Sequence, residues 1–306
     1  MTATLLVEQA LNGLQFGLML FLIAAGLTLV FGIMDVMNLA HGSLYMIGAY
    51  VAASVAQASG SFWLAVPAAV VVTGLVGWVL EVALIRRLYA RDHLLQVLAT
   101  FAVILIANDA VRLIWGPSPI MMAAPPSLSG PLTVLPGVLY PSYRLLIIGV
   151  GLALALGLYL FIAKSRTGMR VRAGSSNREM AIIMGLQVDR LFAAVFVLGA
   201  MLSAVAGALL GPLLAVEVGM GESILILALV VIVIGGIGSV RGAFVGALLV
   251  GMVDTAGRAF LPDALAKFLS ADVAAQLGPA LAAIAIYVVM AAVLVFRPQG
   301  LFPARG

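Results

Sequence analysis

Long apolar stretches separated by short polar segments run along almost the whole chain. No Asp, Glu, Lys or Arg occurs between Glu8 and Asp35, and His41 is the only His, Asp, Glu, Lys or Arg between Asp35 and Glu81. Runs of about 20 apolar residues cross a bilayer as helices. The stretches lack the period-two alternation of membrane barrels, and open sheets leave backbone groups unpaired in lipid. The pattern therefore predicts an all-α fold, a polytopic bundle of transmembrane helices.

Eight or nine spans are predicted, depending on how two broken or re-entrant, glycine-rich regions are counted. The predicted segments are residues 9–32, 43–58, 63–85, 93–115, 143–163, 191–213, 223–257 and 278–296. Residues 43–58 are short for a full span and are expected to form a broken or tilted helix. The long segment 223–257 is interrupted by the sequence GGIGSVRG, which starts at Gly235.

Two connections between the spans have a distinct composition. Residues 116–142 contain seven of the 13 prolines and are predicted to be an irregular loop, because proline disrupts helix interiors. Residues 258–277 are predicted to be a polar connection on the outer side. Neither stretch has the composition of a linker to a soluble domain, so residues 1–306 are predicted to form a single transmembrane domain.

The composition agrees with a protein that lives in a lipid bilayer. The chain is 64% hydrophobic and 9% charged, which is too little charge to cover a soluble domain of this size. The net charge of +4 resides mainly in loops, where basic residues set membrane topology, so no nucleic-acid partner is expected. The absence of cysteine excludes disulfides and thiolate metal sites.

The segment 164–190, KSRTGMRVRAGSSNREMAIIMGLQVDR, lies between apolar runs and holds six of the chain's 16 basic residues. Its charged residues are Lys164, Arg166, Arg170, Arg172, Arg178 and Arg190, opposed by Glu179 and Asp189. A second basic loop contains Arg86, Arg87 and Arg91. Basic loops are retained on the cytoplasmic side. Both loops and the C-terminus are therefore predicted to be cytoplasmic, with the neutral loop 116–142 outside.

Part of this basic segment has the spacing of a docking helix. Residues 179–185 fit the pattern E-x-A-x-x-x-G. Ala181 and Gly185 are four residues apart and share a helical face, which lets a short helix approach another surface closely. Gly185 is suited to end that helix, and the surrounding arginines are suited to bind carboxylates of a partner. The alternative is a solvated loop that only sets topology.

Polar residues follow the first span in the sequence DVMNLAHGS. Asp35, Asn38 and His41 are three residues apart, so helical geometry places them on one face, next to Gly42. One interpretation is that they line a pathway through the membrane, because a charge there needs a partner or water. The other is that they cap and anchor helix ends at the cytoplasmic boundary.

Two pairs of opposite charge lie near the ends of predicted spans. Asp109 and Arg112 are three residues apart and are expected to pair near the outer interface. Glu81 precedes Arg86 near a cytoplasmic end, where the carboxylate is expected to extend toward water.

The sequence contains no pattern for nucleotide hydrolysis or catalysis. A phosphate cradle needs G-x-x-x-x-G-K-[ST], and neither of the two lysines, Lys164 and Lys267, follows a glycine. The two histidines, His41 and His93, are far apart, and there is no run of membrane carboxylates for a proton relay. We therefore expect no enzyme activity, cofactor or metal, and another subunit must drive any uphill transport.

Two stretches of the chain look alike. HGSLYMIGA (41–49) resembles RGAFVGA (241–247) when a two-residue gap is allowed. Paired glycine-interrupted segments often mark a transport pathway that is built on internal repeats. Chance similarity in a chain rich in glycine and alanine is the alternative.

Three stretches together resemble a known family. RTGMRVRAGSSNREMAIIMGL is similar to the cytoplasmic coupling loop of ABC importer permeases, whose pattern is E-A-A-x-x-x-G; the chain matches at Glu179, Ala181 and Gly185 and departs at Met180. GLTLVFGIMDVMNLAHGSLYMIGAY (26–50) and GGIGSVRGAFVGALL (235–249) resemble branched-chain amino-acid permeases of the LivH type. The likeness covers nearly the whole chain in the same order.

This resemblance implies a permease subunit of the inner membrane with several partners. It implies a second, related permease, two cytoplasmic ATPases, and a periplasmic or surface-tethered binding protein that delivers an amino acid. The residues implied in ATPase coupling are Arg166, Gly168, Arg170, Arg172, Glu179, Ala181 and Gly185. On the outer side, Glu217 and Glu222 either contact the binding protein or are ordinary loop charges.

Two alternative functions stay open from the sequence. Urea and short-amide permeases look similar, so the substrate is not fixed. A stand-alone channel or secondary transporter belongs to another class and has no need of a coupling loop.

Overall fold

The computed structural model describes residues 3–135, 137–176 and 178–302. The α-helices are α1 (Ala3–Met34), α2 (His41–Ser59), α3 (Phe62–Leu80), α4 (Arg86–Leu88), α5 (His93–Trp115), α6 (Ser142–Lys164), α7 (Arg166–Ser176), α8 (Arg178–Ile183), α9 (Val188–Leu210), α10 (Met220–Gly235), α11 (Val240–Leu265) and α12 (Ala271–Phe296). A π-helical turn, Glu81–Ile85, joins α3 to α4. An antiparallel hairpin of β1 (Pro131–Leu135) and β2 (Val138–Pro141) precedes α6.

Seven of the described helical segments are long and apolar enough to cross a membrane. They are Thr4–Met34, Phe62–Leu88, His93–Trp115, Ser142–Lys164, Val188–Leu210, Val240–Leu265 and Ala271–Phe296. Helix α10 is apolar but shorter, and α2 is a 19-residue helix whose first half is buried. The predicted all-α, polytopic bundle is confirmed, and the predicted eight or nine spans are an approximation that counts the two shorter helices.

Helices α1 and α9 form the centre of the bundle. In their most apolar windows 78% and 72% of the residues are buried, against 33% or less in the other five spans. Helix α1 packs against α6, α9, α10 and α11, and α9 packs against α1, α2 and α3. The outer helices therefore present most of their apolar surface to whatever surrounds the subunit, as lipid-facing helices do.

The two predicted basic loops lie at the same end of the bundle. Ala181 and Phe192, which flank the end of the segment 164–190, share an apolar cluster with Ile85 and Leu88 of the first basic loop. We call this the basic end, defined by residues 85–92 and 164–190. The β-hairpin lies between the C-terminus of α5 and the N-terminus of α6, at the end of the bundle opposite the basic end.

Both predicted connections differ from the expectation. The proline-rich loop 116–142 contains the hairpin β1–β2 as well as irregular backbone. The predicted polar connection 258–277 is mostly helical, because α11 continues to Leu265 and α12 begins at Ala271. Arg258 donates through Nε to both carboxylate oxygens of Asp254 at 2.9 Å, one turn earlier, so the charge that suggested a loop is satisfied within the helix.

Glycines allow the central helices to touch backbone to backbone. A Cβ added at Gly251 of α11 would lie 2.5 Å from the backbone nitrogen of Gly17 in α1, and one at Gly26 would lie 2.8 Å from the carbonyl oxygen of Gly199 in α9. Lipid supplies no hydrophobic force between helices, so such close contacts and hydrogen bonds hold a membrane bundle together.

The contact between α1 and α11 leads to a stability prediction. Gly251→Val places a side chain against the backbone of α1 and is expected to lower the free energy of unfolding by about 1–3 kcal/mol, the usual cost of overpacking. The measurement is the thermal unfolding midpoint in detergent. Gly157→Val in α6 is the matched control, because a Cβ there meets nothing within 4 Å; equal midpoints for the two variants would contradict the close packing.

Candidate functional site

The break between α1 and α2 contains the first group of predicted site residues. Asp35 has φ = 53°, a left-handed conformation that Asp tolerates better than most residues. The Asn38 side-chain oxygen accepts a hydrogen bond from the backbone N–H of Ala40 at 3.1 Å, a turn typical of asparagine. These two residues end α1 and direct the chain into the start of α2.

The predicted shared face of Asp35, Asn38 and His41 is wrong. Residues 35–38 are not helical, so the three-residue spacing does not place these side chains together. Asp35 is exposed, whereas Asn38 and His41 are at most 1% exposed. The structure therefore separates the carboxylate from the two buried polar groups.

His41 and Gly42 place the start of α2 deep in the bundle. The Nε2 atom of His41 lies 2.8 Å from the Ser203 hydroxyl of α9. A Cβ added at Gly42 would lie 2.2 Å from the carbonyl oxygen of Gly221 in α10, and one at Gly221 would lie 2.2 Å from that of Gly42. The first turns of α2 and α10 thus meet at two glycines, a contact that no local pattern predicts.

Helix α5 holds the break through residues that sequence reasoning missed. The side-chain oxygen of Gln96 accepts from the backbone N–H of Met37 at 3.0 Å, and the Thr100 hydroxyl oxygen lies 3.2 Å from the N–H of Leu39. Gln96 is 1% exposed and also donates to the carbonyl of Leu88. The only sequence signal is two polar residues four apart in an apolar helix, which marks one helical face.

Glu81 is buried rather than extended toward water. Its side chain is 0% exposed and forms a salt bridge with Arg86 at 2.9 Å. The π-helical turn joins these residues, and Tyr89 donates its hydroxyl proton to Glu81 at 2.7 Å. Burial, and then its bond to Glu81, raise the pKa of the Tyr89 hydroxyl. The predicted extension of Glu81 toward water is therefore wrong, since a buried carboxylate needs such partners.

The first half of the basic segment is anchored on the end of α6. The Gly168 N–H donates to the Ser165 hydroxyl at 2.9 Å, and a Cβ added at Gly168 would lie 2.3 Å from the carbonyl oxygen of Ile162. Arg172 also donates to that carbonyl. The side chains of the predicted coupling residues Arg166, Arg170 and Arg172 are exposed.

Helix α8 carries the remaining predicted coupling residues. Ala181 is 4% exposed and packs inward with the apolar cluster at the basic end, whereas Glu179 is exposed. Gly185 has φ = 81°, and the N–H groups of Gly185 and Leu186 donate to the carbonyls of Ile182 and Ala181. These two bonds are the Schellman ending that a glycine favours.

The outward surface of this segment is apolar as well as basic. Met180 and Ile182 are about half exposed, and Ile183 and Met184 are 79% and 77% exposed. Ala181, the small residue of the E-x-A-x-x-x-G pattern, therefore attaches the helix to its own bundle, and the larger apolar side chains are exposed. Exposed apolar groups rimmed by charge are typical of protein–protein contacts.

The two predicted outer carboxylates occupy different positions. Glu217 is exposed in the connection between α9 and α10, and Glu222 is exposed in the first turn of α10. The Asn108 amide of α5 donates to Glu222 Oε1 at 2.6 Å. The expected pair of Asp109 and Arg112 is not formed, since the described residues include no salt bridge between these two exposed side chains.

The described part of the chain offers no metal centre. No group of three or more His, Asp or Glu side chains suited to a metal ion occurs among the described residues. Among the described residues, the candidate site consists of helix contacts and exposed polar groups.

Comparisons with known proteins cover nearly the whole bundle. The family described as "Branched-chain amino acid transport system / permease component" matches residues 9–296. The Escherichia coli (strain K12) protein "High-affinity branched-chain amino acid transport system permease protein LivH" is 31% identical over 284 residues, covering 83% of this chain and 87% of that relative. BraD of Pseudomonas aeruginosa, named as a permease of the same kind, is 32% identical over 265 residues, 82% of this chain and 86% of BraD.

A more distant relative comes from Methanocaldococcus jannaschii. It is named as a probable branched-chain amino acid transport permease and is 28% identical over 250 residues, 78% of this chain and 76% of its own length. No solved structure matches the chain.

The attachment of the break to α5 leads to a second prediction. Gln96→Leu removes the acceptor of the Met37 N–H, and hydrogen exchange of that amide is expected to rise at least tenfold, because an unmet buried hydrogen bond costs about 1–3 kcal/mol. Gln57→Leu on exposed α2 surface is the matched control and is expected to leave the exchange unchanged. Equal protection of Met37 in both variants would show that Gln96 does not hold the break.

Proposed function

The chain belongs to the family of permease components of branched-chain amino acid transport systems, and we propose that it carries branched-chain or related amino acids into the cell as a subunit of an ATP-driven importer. It is a multi-pass permease of the inner membrane. The observation that carries the proposal is the family match over residues 9–296, which covers six of the seven described membrane-length helices in full and the first from residue 9 onward.

We propose that the partners are a second, related permease, two cytoplasmic ATPases and a periplasmic or surface binding protein. The chain has no phosphate-binding glycine–lysine motif, so the energy for uphill transport must come from another subunit. The large exposed surface of the outer helices supports pairing with a second permease. In this proposal ATP hydrolysis takes place only in the partner subunits.

The basic end is proposed to face the cytoplasm, together with the C-terminus. Arginines concentrate there, and such loops are retained inside. Leu301 and Phe302 donate backbone hydrogen bonds to Ile234 and Gly235 at the end of α10. Arg241, which follows shortly after, contacts the Tyr159 ring and hydroxyl near the end of α6. These contacts support placing the end of the chain beside the basic loops.

The ATPases are proposed to dock on the segment 164–190 through two kinds of contact. Arg166, Arg170 and Arg172 present exposed guanidinium groups for carboxylates of the partner. Glu179 lies in the first turn of α8, and Met184, directly after the helix, is an exposed apolar side chain. Gly168, Ala181 and Gly185 then act by fixing the shape of the segment.

Contacts through α9 connect α8 to the break between α1 and α2. Ala181 shares its apolar cluster with Phe192 near the start of α9, and Ser203 further along α9 contacts His41. We propose that closure of the ATPases shifts α8 and α9 together and so reorients α2. Asp35, Asn38, His41 and Gly42 are then the candidate pathway residues at the break.

The outer end is proposed to receive substrate from the binding protein. Glu217 is exposed in the connection between α9 and α10 and suits a contact with a basic surface of the binding protein. Glu222, the second predicted contact, is in the first turn of α10 and accepts from Asn108 of α5. Because Glu222 is turned toward α5, Glu217 is the carboxylate that we propose for the binding protein.

The docking proposal is tested with a single charged side chain directly after α8. Met184→Glu puts an unpaired carboxylate into the proposed apolar contact and is expected to reduce ATP-driven leucine uptake at least tenfold, because burying a charge is strongly unfavourable. The measurement is uptake into proteoliposomes that contain the complete transporter. Permease abundance and ATP hydrolysis are measured in the same vesicles.

The control is a similar change outside the segment. Leu94→Glu alters a side chain that is 69% exposed at the start of α5 and is expected to leave uptake near the wild-type rate. Undiminished uptake by Met184→Glu would count against docking at α8. Accumulation of leucine by the permease alone, without an ATPase, would refute the proposed function as a whole.

A further inference from the structure

The hydrogen bond between Asn108 and Glu222 lies below the outer membrane interface. At that depth a carboxylate needs water or a protein partner and does not face lipid. Asn108 is seven residues before the end of α5 at Trp115, so it lies about 10 Å inward at 1.5 Å per residue. Helix α5 has 23 residues and a length of about 34 Å, against about 30 Å for the hydrocarbon core. An untilted helix of this length, centred on the core, places Asn108 about 8 Å inside it.

A second set of contacts gives the same result for the start of α10. Gly221 packs on Gly42, and twelve residues further along α2 the Ser54 hydroxyl accepts a hydrogen bond from Trp115 at 2.5 Å. Twelve residues of helix correspond to about 18 Å. The first turn of α10 is thus well below the outer end of α5. The exposed carboxylate of Glu222 therefore lies at the level of the hydrocarbon core.

Charged groups at this depth face a water-filled cavity or a protein partner, because lipid does not solvate them. The polar residues of α5 lie on one side of the helix: Arg112 follows Asn108 by four residues, and Asp109 is adjacent. Asp109, Arg112 and Glu222 are all exposed, with a net charge of −1. This face therefore lines the aqueous pathway between the two permeases, and the other faces of α5 are left for lipid.

Apolar side chains adjoin the polar group on both helices. Leu105 is one turn before Asn108 on α5 and is 51% exposed, and Ile226 is one turn after Glu222 on α10 and is 50% exposed. Helix α5 runs toward the outer end and α10 toward the basic end, so both side chains lie on the inward side of the Asn108–Glu222 bond. Together the two helices place an apolar surface, Leu105 and Ile226, next to the polar pair Asn108 and Glu222.

We propose that Glu222, Asn108 and Arg112 form a binding station for the zwitterionic head of an α-amino acid, with Leu105 and Ile226 contacting its apolar side chain. Glu222 accepts from the substrate ammonium, and the Asn108 carbonyl oxygen is free to accept as well, since its amide nitrogen binds Glu222. Arg112 donates to the substrate carboxylate. This inference rests on the proposed function and separates zwitterionic amino acids from urea, which has no charged groups.

The position of the station is tested with introduced thiols, since the chain has no cysteine of its own. Leu105→Cys is compared with Leu152→Cys on α6, and the two leucines are 51% and 44% exposed. Each lies ten residues from the outer end of its helix, and residues 145–163 of α6 include no charged side chain. A water-soluble, membrane-impermeant maleimide is added to the complete transporter in outward-facing vesicles. Leu105→Cys is expected to react at least tenfold faster than Leu152→Cys, because a thiol reacts as the thiolate, which forms in water.

Leucine presented by the binding protein is expected to slow the labelling of Leu105→Cys and not that of Leu152→Cys. Equal labelling of the two variants, or faster labelling of Leu152→Cys, would overturn the assignment of this face to the pathway. The labelling ratio needs no uptake, so it decides the position of the face even if the wild-type transporter proves not to move leucine, a result that would count against the proposed function instead.

The chemistry of the station is tested by uptake. Glu222→Gln is expected to lower leucine uptake at least tenfold, with Glu222→Asp retaining most of it, while transporter assembly and ATP hydrolysis persist. Asp272→Asn is the matched control, because Asp272 is also an exposed acid in the first turn of a helix, and it is expected to have no effect. Wild-type leucine uptake by Glu222→Gln would refute a contact between Glu222 and the substrate ammonium.

Discussion

Direct backbone contact between helices is the constraint on which the rest of this bundle depends. Gly42 and Gly221 meet where the first turns of α2 and α10 cross, and Gly26 meets Gly199 where α1 crosses α9. A side chain at any of these positions would push the helices apart. Because of these contacts the break after α1 lies in the interior, and His41 reaches Ser203 instead of the membrane surface.

Helix α5 is held in a different way, by polar side chains instead of glycines. Along one side it bonds to the break through Gln96 and Thr100, to α10 through Asn108 and to α2 through Trp115. Its most apolar window is only 28% buried. Hydrogen bonds of this kind hold a helix with little packed surface, and they can be exchanged for bonds to water or substrate when the helix lines a pathway.

The sequence predicts the positions of the spans well but predicts the contacts between them poorly. The predicted span 93–115 coincides with α5, and the interruption at GGIGSVRG appears as the gap between α10 and α11, because apolar length and glycine are local signals. The burial of Glu81 was not predictable, because it depends on how the folded bundle packs around its side chain. The loss of a shared face for Asp35 and His41 was not predictable either, because helix α1 ends between them. The docking pattern was found, but only the structure shows that Ala181 packs inward and leaves Met184 exposed.

The glycine contact between α2 and α10 explains how one subunit combines a closely packed centre with a polar pathway. Helix α10 begins beside the start of α2, where Gly221 rests on Gly42, and from this position Glu222 reaches Asn108 of α5. A bulky residue at the glycine contact would shift the carboxylate as well as the helix. The packing of small residues therefore sets the depth of the charge, and the charge requires water beside it, so the position of the pathway follows from a contact that contains no functional side chain.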